Sequence, residues 1–286
     1  MGRVLAPLGR RLADVTGRRT YGSYFVLTVA DEDGPSPRAG QFYMLAAAER
    51  WGGGEDERPF LPRACSVARV AGTDELDFML EDVGPGTRRL AELRQGDGLW
   101  LLGPLGKPFA PARDGRRPIL VGGGVGTAPL VILSESLPTT PGALVLLGFR
   151  DAAHALGAGL IEGARVATDD GSVGHHGLVT DLLSAELGAP SRPASPDGRA
   201  DDDWSPQVAT SGRRHVEVLA CGPPQMLESV RALCARMDVP AQLAMEAGMA
   251  CGFGACFGCV VPTRNGYVRL CVDGPVVEAA ELETCL

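Results

Sequence analysis

The sequence predicts a β + α/β chain in three parts: an antiparallel β-barrel, a parallel sheet with helices, and a small cysteine-rich C-terminal unit. Three observations predict it. Between 21 and 110, short alternating apolar stretches are broken by Gly and Pro, the pattern of strands in a small barrel. Between 117 and 238, strand and helix patterns alternate, which gives a parallel sheet covered by helices. Between 240 and 286 the segment is too short to build a core of its own and holds Cys251, Cys256, Cys259 and Cys271, so a bound group must organise it. The expected domains are 1–112, 113–239 and 240–286.

In the first part, YFVLTVA (24–30), QFYMLAA after Gly40, CSVARVA, ELDFMLEDV and GLWLLGPLG each read as a strand. One helical pattern, TRRLAELR at 87–94, opens directly after Gly84-Pro85-Gly86. In the second part, strands are expected at 118–121, 143–149, 164–168 and 215–220, with helices at 128–136, 178–187 and 225–237. The stretch 189–207 is rich in Pro, Ser and Asp and reads as a solvated, disordered insertion. Its run Asp201–Asp203 is expected to face water rather than bind metal.

Composition narrows the function. The 286-residue chain carries a formal net charge of -8, which argues against nucleic acid as a partner because phosphate binding needs a basic face. No apolar run approaches the ~18 residues of a membrane span. Arg3, Arg10, Arg11, Arg18 and Arg19 occur early without an apolar h-region, so no secretory signal is expected, and Asp14 speaks against a transit peptide. Eight cysteines without an export signal do not read as a disulfide framework. Cys65, Cys221, Cys234 and Cys285 are expected as small buried or terminal thiols. A reducing, cytoplasmic location fits.

The four remaining cysteines follow a C-x4-C-x2-C spacing with the last Cys twelve positions on. Plant-type 2Fe–2S clusters use that spacing plus a separate thiolate. Gly252, Gly254 and Gly258 let the backbone wrap a compact inorganic core. Zinc held by four cysteines usually pairs its ligands in two tight knuckles, and this chain has only one, Cys256 and Cys259. Zinc and unligated thiols are the alternatives to the cluster.

The second part opens with ILVGGGVGTAPL, where Gly122-Gly123-Gly124 leaves a strand and turns towards Thr127-Ala128-Pro129. Such a Rossmann-like turn lets a pyrophosphate approach the backbone at a positive helix end. Thr127 stands where the strict fingerprint has its last glycine, and a ligand-free turn is the competing reading. Asp169-Asp170 and Cys221-Gly222 follow two further strands, so Gly122, Gly124, Thr127, Asp170, Cys221 and Gly222 are the candidate NAD contacts. Turn formation alone would also explain the aspartates. Asp151 suits a ribose hydroxyl and Arg150 a 2′-phosphate, with NADH favoured over NADPH.

In the barrel, Arg63-Ala64-Cys65-Ser66 heads a strand. Arg stabilises an anionic flavin or its phosphates, and a Ser hydroxyl can bond a flavin ring nitrogen. About twenty residues on, Gly86, Thr87 and Arg88 open a helix and form a second phosphate cradle.

Together, RxxS and GT in a barrel, GGGVGTAPL and ACGPPQM in a sheet, and C-x4-C-x2-C…C-x-DGP resemble the ferredoxin-reductase superfamily. Within it, the C-terminal cluster resembles the electron-transfer subunits of dihydroorotate dehydrogenase. The resemblance runs from about Arg18 to Pro275 and is tightest over ATDDGSVGHHGLVTDLL and MACGFGACFGCVV. It implies FAD contacts at Arg63, Ala64, Cys65, Ser66, Met79, Leu80, Glu81, Gly86 and Thr87, and cluster ligands at Cys251, Cys256, Cys259 and Cys271. It also implies a relay between NAD, FAD, the 2Fe–2S cluster and FMN on a separate catalytic subunit, within a heterotetramer that oxidises dihydroorotate in pyrimidine biosynthesis. Ala64 replaces the family's usual Pro, and the 189–207 insertion is longer than the family pattern. No site for dihydroorotate itself and no acid–base pair is expected in this chain. His154, His175, His176 and His215 are expected as surface or turn residues. A NAD(P)H-dependent ferredoxin reductase or a sulfide dehydrogenase small subunit shares most of these motifs. A lone flavin reductase and a non-catalytic zinc-binding adaptor are further alternatives.

Overall fold

The computed structural model describes residues 9–32, 34–53, 58–72, 74–113, 115–137, 142–188 and 215–286. The expected insertion at 189–207, with Asp201–Asp203, lies outside them.

The first sheet contains β1 (Arg11–Tyr21), β2 (Tyr24–Ala30), β3 (Phe42–Ala47), β4 (Arg63–Ser66), β5 (Arg69–Ala71), β6 (Glu75–Glu81) and β7 (Gly98–Leu105). Their order is β4-β3-β7-β1-β2-β6-β5, and every pairing is antiparallel. β4 and β5 stand at opposite ends of that order, yet only Val67 and Ala68 separate them in the chain. The Ala68 amide donates to the Asp77 carbonyl at 2.8 Å, so the sheet bends round on itself and closes. Val15, Leu27, Tyr43, Leu45, Phe78, Leu99 and Leu101 fill its interior. Sequence patterning missed β1, because only Ala13 and Val15 are buried along it while Arg18, Arg19 and Thr20 face solvent. A short helix, α1 (Pro85–Ala91), interrupts the strands, starting two residues before the expected 87 because Pro85 is preset for a first helical turn.

The second sheet contains β8 (Arg117–Gly123), β9 (Leu144–Phe149), β10 (Arg165–Thr168), β11 (His175–His176), β12 (Val216–Cys221) and β13 (Ala241–Ala244). The helices between them are α2 (Ala128–Ser136), α3 (Ala152–Ala155), α4 (Val179–Glu186) and α5 (Pro224–Met237). β14 (Val260–Thr263) and β15 (Gly266–Arg269) form a separate hairpin, followed by α6 (Leu270–Asp273) and β16 (Val276–Glu278). The order is β11-β10-β9-β8-β12-β13-β16. All neighbours run parallel except β13 and β16. The expected strands and helices of this part are present, because buried parallel strands read as continuous apolar runs. The tail is different. The segment 240–286 supplies two strands, β13 and β16, to this sheet, and the cysteine loop between them buries Cys259, Leu270 and Cys271 in the same core.

One apolar core continues from barrel to sheet through Tyr24, Phe149 and Ala155. The Tyr24 ring lies 6.3 Å from Phe149 and 5.6 Å edge-on from His154. Arg69 Nε donates to Glu135 Oε1 at 2.6 Å, and the Ser23 amide to the Ala153 carbonyl at 3.2 Å. His154 corrects the expectation of a surface residue: it is 8% exposed and sits in this junction. The Asp151 side chain accepts from the His154 amide and caps α3, which turns the imidazole inward.

Candidate functional site

The parallel sheet changes direction of winding at β8, with β9 on one side and β12 on the other. Ligands bind beyond the carboxyl ends of strands at such a switch point. There the chain runs from β8 through a single 3-10 turn, Gly124–Thr127, into α2. A Cβ on Gly126 would lie 2.4 Å from the Cys221 carbonyl oxygen, so only glycine lets the turns after β8 and β12 meet. Gly122, Gly124, Thr127, Cys221 and Gly222 are thereby brought together. The Cys221 thiol is buried and pushed up, first by burial and then by Glu246, so only its backbone faces the turn. Thr127 is fully buried and its Oγ1 has no hydrogen-bond partner. A buried hydroxyl left unpaired costs about 1–3 kcal/mol, and an incoming phosphate oxygen would satisfy it. The site therefore fits a dinucleotide pyrophosphate.

Asp170 lies beyond β10, which is two strands from β8 in the sheet. Its Oδ1 accepts from Ser172 Oγ at 2.6 Å and from the Ser172 amide at 3.0 Å. These bonds hold its carboxyl below the ordinary range. Asp151 is equally engaged: His154 Nδ1 lies 2.7 Å from its Oδ1, and the His154 side chain and amide hold its carboxyl low.

In the barrel, Arg63 faces the opening of α1. A Cβ on Gly86 would lie 2.2 Å from Arg63 Nε, so glycine is required for the guanidinium to cover the first helical turn. The first amides of a helix have no intrahelical partner, and a cation set over them makes an anion cradle. The Thr87 hydroxyl is already engaged. It accepts from the Val83 and Gly84 amides at 2.9 and 3.1 Å and donates to the Gly84 carbonyl. It shapes the turn, leaving the backbone to meet a phosphate. Arg88 is turned outward, with Nε 3.4 Å from Asp82 Oδ2.

Alternation along β4 puts Ala64 and Ser66 on one face and Arg63 and Cys65 on the other. The Cys65 thiol is buried and pushed up to about 12 by burial, with Arg63 opposing. Met79 and Leu80 are 2% and 3% exposed, so neither side chain is free to reach across a flavin. Glu81 Oε1 lies 3.2 Å from His154 Nε2 and 3.4 Å from Arg150 Nη2. Sequence reasoning missed this His154 cluster; the Asp151-x-x-His154 spacing of a capped helix was its only signal.

The cysteine loop joins β13 to β16. Gly252 and Gly254 adopt φ of 79° and 84°, the left-handed turns that a tight wrap requires. Among the described residues, no three or more His, Cys, Asp or Glu side chains gather round one ion-sized point. The thiols come together in pairs instead. Cys259 Sγ lies 3.3 Å from Cys271 Sγ, and the Cys256 side chain is among the groups that act on the Cys251 thiol. Burial pushes the Cys251 thiol up, but the amides of Cys256, Phe253 and Ala255 and the Cys256 side chain outweigh it and bring it to about 6. Cys271 is pushed up to about 12 by burial and by Cys259. Two pairs of sulfurs suit the two irons of a 2Fe–2S cluster better than one tetrahedral zinc. Around the loop, Phe253, Phe257, Tyr267 and Val272 are exposed.

A closed antiparallel barrel, a parallel sheet with a phosphate turn at its switch point and a four-cysteine loop define a reductase of ferredoxin-reductase-like fold with an iron–sulfur segment. Residues 246–283 match the iron-sulfur cluster binding domain of dihydroorotate dehydrogenase B. The chain is 32% identical over 250 residues to the dihydroorotate dehydrogenase B (NAD(+)) electron transfer subunit of Clostridium perfringens, covering 86% of this chain and 87% of that one. It is 30% identical to that of Caldanaerobacter subterraneus, covering 94% and 96%. In fold it is similar to a solved chain of NADH-dependent reduced ferredoxin-NADP oxidoreductase, with a TM-score of 0.70 and 22% identity over 97% of this chain and 91% of that one. A ferredoxin NADP+ reductase from Neisseria gonorrhoeae aligns with a TM-score of 0.57 and 17% identity over 80% and 91%. This chain belongs to the family of dihydroorotate dehydrogenase B electron transfer subunits.

Proposed function

We propose that this chain is the electron-transfer subunit of an NAD-dependent dihydroorotate dehydrogenase in pyrimidine biosynthesis. It relays electrons between the FMN of a catalytic partner, its own 2Fe–2S cluster and FAD, and NAD. The observation that carries this reading is the paired arrangement of Cys251, Cys256, Cys259 and Cys271 in a loop rooted in the nucleotide sheet. Flavin chemistry, once FAD is bound, connects two-electron hydride transfer with single-electron steps.

The chain's own residues supply binding and position. Arg63 and the backbone at Gly86-Thr87 hold the flavin phosphates, with Ala64, Cys65, Ser66, Met79, Leu80 and Glu81 forming the strand walls beside them. The turn at Gly122, Gly124 and Thr127, with Cys221 and Gly222 behind it, holds the nicotinamide dinucleotide. The fixed carboxylate of Asp170 faces its ribose end, a negative charge that favours NAD over its 2′-phosphorylated form. The exposed side chains of Phe253, Phe257, Tyr267 and Val272 give a catalytic partner an apolar rim next to the cysteines, in a heterotetramer. No helix among the described residues is long and apolar enough to cross a membrane. Eight free cysteines suit the reducing cytoplasm.

Anaerobic mixing with the candidate FMN-binding chain tests this. Dihydroorotate-dependent NAD reduction, with orotate formed only in the mixture, is the expected result. A mixture that is inert while the chain alone passes electrons from NADH to ferredoxin would make it a ferredoxin reductase instead.

A further inference from the structure

The four cysteines are held unequally. Cys259 and Cys271 are buried, and the backbone of the hairpin beside them ties them down. Val260 pairs with Arg269, the Leu270 amide donates to the Cys259 carbonyl at 3.1 Å, and the Cys271 amide donates to Cys259 Sγ at 3.4 Å. Cys251 is half-buried and Cys256 exposed. They lie on residues 250–258, which form neither helix nor strand, so contacts from outside that turn must fix it.

Arg269, on β15, is placed to make them. Its backbone amide donates to Asp273 Oδ2 at 3.0 Å, and its Nε lies 3.6 Å from the same oxygen, so the Asp273 carboxylate aims the guanidinium. Nη1 donates to the Gly254 carbonyl at 3.3 Å. The guanidinium carbon lies 5.4 Å from the centre of the Phe257 ring, a cation–π distance. Gly254 stands between Cys251 and Cys256, and Phe257 between Cys256 and Cys259. One guanidinium therefore grips the chain on both sides of Cys256. Both gripped residues are left-handed, with φ of 84° at Gly254 and 60° at Phe257. Glycine takes that conformation freely, but a phenylalanine persists in it only where its surroundings hold it. A ring seated against a guanidinium is such a hold. A surface arginine that merely paired with Asp273 would need neither of the two further contacts, and both fall on the cysteine loop.

We propose that Arg269 is a positioning residue for the 2Fe–2S cluster, fixing the chain on either side of Cys256 and through it the geometry of this exposed thiolate. The proposal rests on the cluster reading of the four cysteines. Groups behind the ligands orient them and govern how firmly a metal is kept, and Arg269 takes that part from the neighbouring hairpin.

The test uses the full chain with its cluster reconstituted anaerobically. Arg269→Gln removes the charge and the fork, while Arg269→Lys keeps a cation that can reach the Gly254 carbonyl and the Phe257 ring. Arg269→Gln is expected to release iron to a chelator about tenfold faster and to shift the g values of the dithionite-reduced cluster, which report the geometry of its thiolates. Flavin content should stay the same. Arg269→Lys should return both readouts most of the way to the parent. In a Phe257→Leu chain, Arg269→Gln should accelerate iron release less than in the parent, since one of its two holds is already gone. Arg269→Gln that takes up no cluster, beside Arg269→Lys that takes up a normal one, is the same result in stronger form. An unchanged spectrum and iron-release rate in Arg269→Gln, faster release with the parent's g values, equal defects in the Gln and Lys variants, or full additivity with Phe257→Leu would overturn the proposal. Failure of the unsubstituted chain to take up a 2Fe–2S cluster would instead remove the cluster reading, and this assignment with it.

Discussion

The imidazole of His154 lies 2.7 Å from the carboxylate of Asp151 through Nδ1, while its Nε2 faces Glu81 of the barrel at 3.2 Å. One side chain thus ties the helix after β9 to the last residue of β6. Arg150 Nη2 contacts both Glu81 and the same ring nitrogen. This cluster is the polar fastening between barrel and nucleotide sheet, and the Tyr24 ring packs edge-on against it.

His154→Ala should loosen that fastening. Losing its bond to Asp151 and its contacts with Glu81 and Arg150 is expected to lower the melting temperature by roughly 2 to 8 °C. The Asp151 carboxyl is held below its ordinary 3.8, so its share of the stabilisation is present above that value and lost as pH falls through the lower, folded one. The melting difference between the two chains should therefore narrow in acid. Scanning calorimetry at pH 7 and pH 3 measures both.

Thr127→Val separates folding from binding. The hydroxyl has no partner in the unliganded turn, so an isosteric methyl should leave the stripped chain equally or more stable. Affinity for NADH should fall by about tenfold. A thermal melt without nucleotide and a titration with it give the two signs.

Gly86→Ala adds a methyl where Arg63 Nε now sits. Displacing the guanidinium should weaken FAD by about tenfold or more, while the helix itself gains slightly from the better helix former. Equilibrium dialysis against FAD checks this, and an unchanged affinity would remove Arg63 from the cradle.

Cys256→Ser should abolish or destabilise the cluster while sparing FAD, because the flavin patch lies on β4 and α1 and not in the cysteine loop. Iron and flavin content of the purified chain are the measurement. Equal loss of both would show that the two sites fold as one.

Glu228→Gln reports on the end of the chain. Glu228 Oε2 accepts from the Cys285 amide at 2.8 Å, and Arg231 Nε donates to the same oxygen at 2.9 Å. The Arg231 hydrogen bond first, then the Cys285 amide, bring its carboxyl down to about 2 from 4.5. A depressed carboxyl stabilises fully above about 4.5 and loses that contribution as pH falls towards about 2. The Gln variant should melt earlier at pH 7 and match the parent near pH 2. Partial exposure of both side chains keeps the difference small.

Legibility in the sequence followed burial. The strands β8, β9 and β12 are covered on both faces, and their apolar runs declare themselves. β1 does not, because its outer face is arginine and threonine and only two of its residues are fully buried. Glycine spacing marked the turns at Gly122–Thr127 and Gly84–Thr87, where the chain approaches itself closely. It did not show that Thr87 spends its hydroxyl on its own turn, or that Met79 and Leu80 point into the core. Those depend on side-chain direction, which is fixed by packing. His154 was invisible for the same reason. It becomes meaningful only through a partner far away in the chain, Glu81.

The return of β16 to β13 fixes both stems of the cysteine loop to the same sheet edge. Gln242 pairs with Glu278 and Ala244 with Val276, and the Met245 amide donates to the Pro275 carbonyl at 2.9 Å. With its ends clamped side by side, the loop springs from one sheet edge, yet it is woven into the fold: Cys259, Leu270 and Cys271 share a buried core with Phe42, Met44 and Leu105 of the barrel, and a Cβ on Gly252 would lie 2.5 Å from Met44 Cγ. Cutting it out between Met245 and Pro275 should therefore uncover apolar side chains of the barrel as well as remove the cluster, and lower the melting temperature of what remains.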